Sequence, residues 1–204
     1  MLEFDGIEIH WLGNSGFKIK TEEKVIYIDP YHIEDDEKAD LILITHSHPD
    51  HCSPGDIEKI STEETIILCG GKSASKLKGN TESVKPNMKK EFGEIVIETV
   101  PAYNTKNNIH PKEDKNVGYI IIIDDKRIYH AGDTDLIPEI DVITADIAML
   151  PVAGKGMDAR EAADAANKIK PEIAIPIHWG NESKDNAKDF SRLCKCEVKI
   201  MEKD

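Results

Sequence analysis

Two short runs, Leu41-Ile42-Leu43-Ile44 and Thr65-Ile66-Ile67-Leu68, are almost wholly apolar and do not alternate. A strand with one face in water alternates apolar and polar residues, so these read as strands buried on both faces with helices packed nearby. A layered α/β architecture follows. Further strands are expected at Ile7–Leu12, Gly16–Lys20, Val25–Asp29, Glu94–Val100, Val117–Asp124, Arg127–Ala131, Ile147–Leu150 and Ile173–Ile177, most of them ending in Gly, Asp, Asn or Pro. Ser53-Pro54-Gly55-Asp56 opens a short helix to about Ile60, with Ser53 as N-cap and Pro54 at the first helical position. The clearest helix is Asp158–Lys170, where Asp158 and Glu161 form a capping-box pattern. Ala159, Ala162, Ala163, Ala166 and Ile169 line one apolar stripe, and Pro171 follows. The 204 residues contain no low-complexity linker and no composition break, so one domain, 1–204, is expected.

Charge narrows the partners. With 39 acidic against 26 basic side chains the net charge is −13, and no basic patch is concentrated anywhere, which disfavours nucleic acid and anionic membranes. No apolar run reaches the roughly 18 residues of a membrane span, and the opening residues lack the pattern of a signal peptide. Four scattered cysteines, Cys52, Cys69, Cys194 and Cys196, do not make a disulfide scaffold and fit reduced thiols in a cytoplasm.

The chemistry is concentrated directly after the strand Leu41–Thr45, in His46-Ser47-His48-Pro49-Asp50-His51. In an extended segment His46 and His48 point the same way and can reach one cation, while a turn at Pro49 can swing Asp50 and His51 toward a second position. The strand Arg127–Ala131 runs into Gly132-Asp133-Thr134, and Ile173–Ile177 runs into His178. Ligand-type residues therefore end three separate apolar strands, and the carboxyl ends of strands in an α/β sheet converge on one crevice. Considered singly, Asp133 is also readable as a turn aspartate and His178 as a packed strand-end histidine.

THSHPDH, with AGDT downstream and PIHWG near the carboxyl end, resembles the metallo-β-lactamase superfamily, in particular its small metal-dependent hydrolase branch. The resemblance spans nearly the whole chain, from GNSGF and IDPY to PIHWG. It implies an αββα sandwich of two mixed β-sheets flanked by helices, with a metal site at one edge of the sheets. By position it implies that His46 and His48 bind a first metal, Asp50 and His51 a second, that Asp133 bridges both, and that His178 completes the second site. Family members place the third ligand of the first metal in the loop after a strand like Ile95–Val100, where this chain reads Pro101-Ala102-Tyr103-Asn104. His110, the one histidine between His51 and His130, is assigned to that role, against the alternative of a solvent-exposed loop residue. Asp29 matches an aspartate that supports a ligand histidine through its second ring nitrogen.

The expected activity is a metal-dependent hydrolase. A metal-bound hydroxide cleaves an ester-type bond, phosphodiester or lactone, in a small molecule, and Asp50 and Asp133 accept or pass the proton. The donor set suits two zinc ions and also accepts Mn or Fe. The alternatives are a sugar-phosphate lactonase and a non-catalytic metal-binding protein that keeps the fold. Lys106 and Lys155 are candidate anion anchors at the rim, with Tyr103, Asn104 and Trp179 as neighbouring contacts, against the alternative that each is ordinary surface. Cys52 reads as a small buried residue, Cys194 and Cys196 carry weak evidence for a metal or redox site, His10 and His130 read as strand residues, and His32 as a loop residue. A homo-oligomer is compatible with the sequence.

Overall fold

The computed structural model describes residues 1–34, 37–179 and 184–203. The chain divides into two compact units, 1–84 with 201–204, and 85–200. The first unit holds β1 (Leu2–Phe4), β2 (Ile7–Gly13), β3 (Gly16–Lys20), β4 (Val25–Ile28), β5 (Leu41–Ile44), α1 (Pro54–Ile60), β6 (Ile66–Gly70) and β7 (Asn80–Val84). The second holds β8 (Lys89–Phe92), β9 (Ile95–Pro101), β10 (Val117–Ile123), β11 (Lys126–His130), β12 (Ile147–Pro151), α2 (Ala159–Ile169), β13 (Ile173–Ile177), α3 (Lys184–Leu193) and β14 (Glu197–Val198).

Each unit carries one seven-stranded mixed sheet, in the order β1-β2-β3-β4-β5-β6-β7 and β14-β13-β12-β11-β10-β9-β8. The two sheets share one plan. Four antiparallel strands are followed by three parallel ones, the change falling after β4 in one sheet and after β11 in the other. Val25-Ile26-Tyr27-Ile28 and Arg127-Ile128-Tyr129-His130 share an Ile-Tyr pair in sequence and the fourth place in their sheets, and Tyr27 and Tyr129 are each wholly buried.

The cores follow from the apolar runs. All four residues of β5 are buried, and Ile42 and Ile44 share a cluster with Tyr27, Ile67 and the α1 residues Ile57 and Ile60. In the second unit the alanines of α2 let the helix lie close against β12. Ala162, Ala163, Ala165, Ala166 and Ile169 are buried with Ala148, Leu150 and Phe190 of α3. The capping box forms: Asp158 accepts from the amides of Arg160 and Glu161, and Glu161 accepts from the Asp158 amide.

Ser53 occupies the N-cap of α1, as the sequence predicts, but its side chain makes no capping hydrogen bond. Its hydroxyl instead donates to Asp56 Oδ2 at 2.7 Å, an acceptor that also takes the His32 amide at 2.9 Å. The hydroxyl is turned toward that carboxylate as a donor instead of accepting from a helix amide. No helix among the described residues is long and apolar enough to cross a membrane.

Candidate metal centre

In the first unit the parallel neighbours β4 and β5 deliver the groups. Asp29 follows β4 in a left-handed backbone conformation, φ 44°. Its carboxylate is fully buried and accepts three hydrogen bonds, from the Thr45 amide at 2.8 Å, the Thr45 hydroxyl at 2.6 Å and His51 Nδ1 at 2.7 Å. These contacts dictate protonation. Thr45 has one hydroxyl proton and gives it to Asp29, so toward His46 Nδ1, 3.0 Å away, its oxygen acts as acceptor. His46 thus carries its proton on Nδ1, as His51 does against Asp29. In both rings Nε2 is the lone-pair nitrogen.

One of those lone pairs faces another imidazole nitrogen and the other faces a carboxylate. His46 Nε2 lies 3.1 Å from His48 Nδ1, and His51 Nε2 lies 3.5 Å from Asp50 Oδ2. Asp50 is itself oriented by Asn14, whose Nδ2 donates to Asp50 Oδ2 at 3.1 Å. Asn14 sits at φ 50°, with its carbonyl accepting from the Trp11 indole at 3.1 Å.

In the second unit Asp133, 4% exposed, follows β11, and its Oδ2 lies 3.5 Å from His178 Nε2 and 3.8 Å from His110 Nε2. His178 follows β13 at φ 56°, its ring lying so close to Gly154 that a Cβ there would come within 2.6 Å of Cε1 and Nδ1. His110 is 1% exposed, which removes the solvent-exposed alternative. Its Nδ1 lies 2.8 Å from Asn104 Oδ1. Beneath Asn104, the buried Asp135 accepts from the amides of Thr105 and Lys106 at 2.7 and 2.9 Å. Burial works to raise the Asp135 carboxyl, but those amides and the Lys106 charge outweigh it and hold it below the ordinary aspartate range.

The donor set fits divalent cations. Within each unit, imidazole nitrogens and carboxylate oxygens turn toward one another at 3.1–3.8 Å. For His46, His51 and His110 the second ring nitrogen is engaged by a hydroxyl, carboxylate or amide oxygen, the arrangement that orients metal-binding histidines. Where the Nε2 lone pairs of His51 and His110 face the Asp50 and Asp133 carboxylates, like polarity repels unless positive charge lies between.

Other expectations are revised. The Lys106 ammonium pairs with Glu161 at 2.5 Å and Asp135 at 3.5 Å, so its charge is engaged within the protein. The Tyr103 hydroxyl donates to Glu139, Asn104 is buried in the His110 network, and the Trp179 indole donates to the Pro176 carbonyl. Lys106 and Lys155 are the exposed residues among these. Cys52 is buried, and burial pushes its thiol up to about 11, so it is no nucleophile at neutral pH. His10 is a half-buried strand residue 3.3 Å from Glu8, and His130 is wholly buried in β11. His32 stacks on Tyr31 with ring centroids 4.0 Å apart. The sequence reading passed over Asn14, Thr45 and Asp135, and took Asn104 for a rim contact. Amides and hydroxyls are common in loops, and only their partners distinguish these.

The profile of the Beta-lactamase superfamily domain matches residues 8–178. The chain belongs to the metallo-β-lactamase superfamily. It is 30% identical to a UPF0173 metal-dependent hydrolase of Pyrococcus abyssi, with 96% of this chain and 95% of that one covered. A structure from Parabacteroides distasonis, assigned to the metal-dependent hydrolases, matches with a TM-score of 0.88 and 32% identity over 97% of this chain and 94% of its own. Igni18, a metallo hydrolase of Ignicoccus hospitalis, shares the fold at a TM-score of 0.79 and 21% identity, covering 96% of this chain and 95% of its own. Within the superfamily the chain falls in the branch of small metal-dependent hydrolases.

Proposed function

We infer that this protein is a hydrolase of an ester-type bond, phosphodiester or lactone, in a small molecule, working with two divalent cations, zinc foremost and Mn or Fe as substitutes. His46, His48 and His110 would hold one ion, Asp50, His51 and His178 the other, with Asp133 shared. The observation that carries the reading is the protonation fixed around Asp29: one carboxylate commits Nδ1 of His51 directly and Nδ1 of His46 through Thr45, leaving both rings to offer Nε2.

Bound divalent cations would supply a Lewis acid for the substrate oxygen and would lower the pKa of a bound water to about 7. The chain's own residues supply the proton path. The Asp50 side chain is 38% exposed, so its Oδ1 can exchange protons with solvent while Asn14 holds Oδ2. Asp133, buried with its Oδ2 at 3.5 Å from His178 Nε2 and 3.8 Å from His110 Nε2, is the second carboxylate proposed to accept or pass the proton. The thiol beside them, Cys52, is pushed up to about 11 by burial, which supports hydrolysis without a covalent enzyme intermediate. The four thiols are all free, which supports a reducing cytoplasm.

The test is elemental analysis of the purified protein coupled to chromogenic phosphodiester, lactone and thioester substrates, with and without chelator. Metal near two equivalents and chelator-sensitive turnover of a phosphodiester or lactone are expected. Absence of metal with chelator-insensitive rates would end the hydrolase reading.

A further inference from the structure

His110 is the candidate ligand that no strand end delivers. It lies in the connection between β9 and β10, and its placement depends on Asn104. The orientation of the Asn104 amide is settled by three partners of fixed polarity. The His110 backbone amide, which can only donate, lies 3.1 Å from Asn104 Oδ1. The Lys155 carbonyl, which can only accept, lies 2.6 Å from Nδ2, and the Asp135 carboxylate accepts from the same nitrogen at 3.1 Å. Exchanging oxygen and nitrogen would set donor against donor and acceptor against acceptor at all three contacts. Oδ1 therefore faces His110 Nδ1 at 2.8 Å, and that nitrogen must be the one bearing the proton.

The same residue closes the loop. The Asn104 backbone N–H donates to the His110 carbonyl at 2.8 Å, so Thr105–Ile109 are pinched off between two residues joined by backbone and side chain. Asp135 forms the floor. Besides Asn104 it takes the Thr105 and Lys106 amides and, at 3.2 Å, the Thr105 hydroxyl. Its own amide donates to the Tyr103 carbonyl at 3.0 Å, tying the loop neck to the segment that carries Asp133.

We propose that Asn104 and Asp135 are the positioning residues of His110: Asn104 fixes the imidazole as the Nδ1–H tautomer with Nε2 aimed at Asp133, and Asp135 holds Asn104 in the only orientation that does so. The functional consequence, though not the tautomer, rests on the reading of His110 as a metal ligand.

The test is the ring tautomer of His110, read by ¹⁵N NMR of histidine-labelled full-length protein after chelation, alongside zinc titration of the same chain. The wild type should show proton on Nδ1 of His110. In Asn104→Ala that signal should move toward the Nε2–H form, with His10 unchanged as internal reference, and one zinc equivalent should weaken by about 10–100-fold. Asp135→Asn should shift the tautomer in the same direction. A wild-type His110 protonated on Nε2 overturns the proposal without any variant, so a misfolded substitution leaves the test intact. A folded Asn104→Ala whose tautomer does not move overturns it too. A moved tautomer in a chain that takes up no zinc sustains the clamp and defeats the hydrolase reading instead.

Discussion

Asp29 and His51 stand 2.7 Å apart, carboxylate to Nδ1, with neither side chain exposed to solvent. The pair joins a backbone turn after β4 to the histidine that follows Asp50, and through Thr45 it reaches His46 as well. Removing the carboxylate leaves a buried imidazole N–H, an amide and a hydroxyl without their acceptor. Asp29→Ala should therefore cost about 3–5 kcal/mol in urea denaturation and reduce metal content. A loss below about 1 kcal/mol would show that the network is slack.

The first-metal assignment predicts different outcomes for two histidines of similar burial. His110→Ala should lose one metal equivalent, while His130→Ala, at a core position, should lose stability with both equivalents kept. Zinc at about 100 times its Kd should raise the stability of wild type by about 2.7 kcal/mol, measurable as a Tm increase that chelator reverses. Unchanged stoichiometry in His110→Ala would remove that ligand.

Two glycine substitutions separate crowding from helix propensity. At Gly154, φ 79°, a Cβ would lie 2.6 Å from the His178 ring, so Gly154→Ala should destabilise by about 1–3 kcal/mol and displace the ring, lowering metal affinity. At Gly55, within α1, nothing lies within 4 Å, and Gly55→Ala should stabilise by about 0.5–1 kcal/mol. Equal effects on metal binding would contradict the role given to the Gly154 contact.

Stability should fall at both ends of the pH scale, for different reasons. Burial works to raise the Asp56 carboxyl, but the Ser53 hydroxyl, the Lys59 ammonium and the His32 amide outweigh it and hold it below the ordinary range. A depressed folded-state value gives stability that is present above the unfolded pKa, about 3.9, and lost as pH falls through the folded one. Burial pushes Cys52 up to about 11 and Cys69 to about 12. Their contribution is full below the unfolded thiol value, about 8.5, and disappears as pH rises through 11 and 12. Denaturation midpoints across a pH series should show both limbs, and Asp56→Asn should flatten only the acid one.

The central strands and the strand-end ligands were legible because burial on two faces leaves a continuous apolar run, and ligand-type residues directly follow β5, β11 and β13. The strands that escaped notice, β1, β7, β8 and β14, are the outer strands of the two sheets. Asn80–Val84 and Lys89–Phe92 carry charged and polar side chains, as strands with an unpaired edge commonly do. Helix α3 buries only Ala187 and Phe190, too little for a stripe to show. Asp29 was found through the spacing of a resemblance. Asn104 and Asp135 were not recognised for their role because it exists only once a loop closes on itself.

The seat beneath that loop has a practical corollary. With its neck bolted to Asn104 and Asp135, the crown at Asn107, Asn108 and Ile109 is rewritable: grafting other sequences there should alter what the rim can grip while the imidazole at its base keeps its bearing.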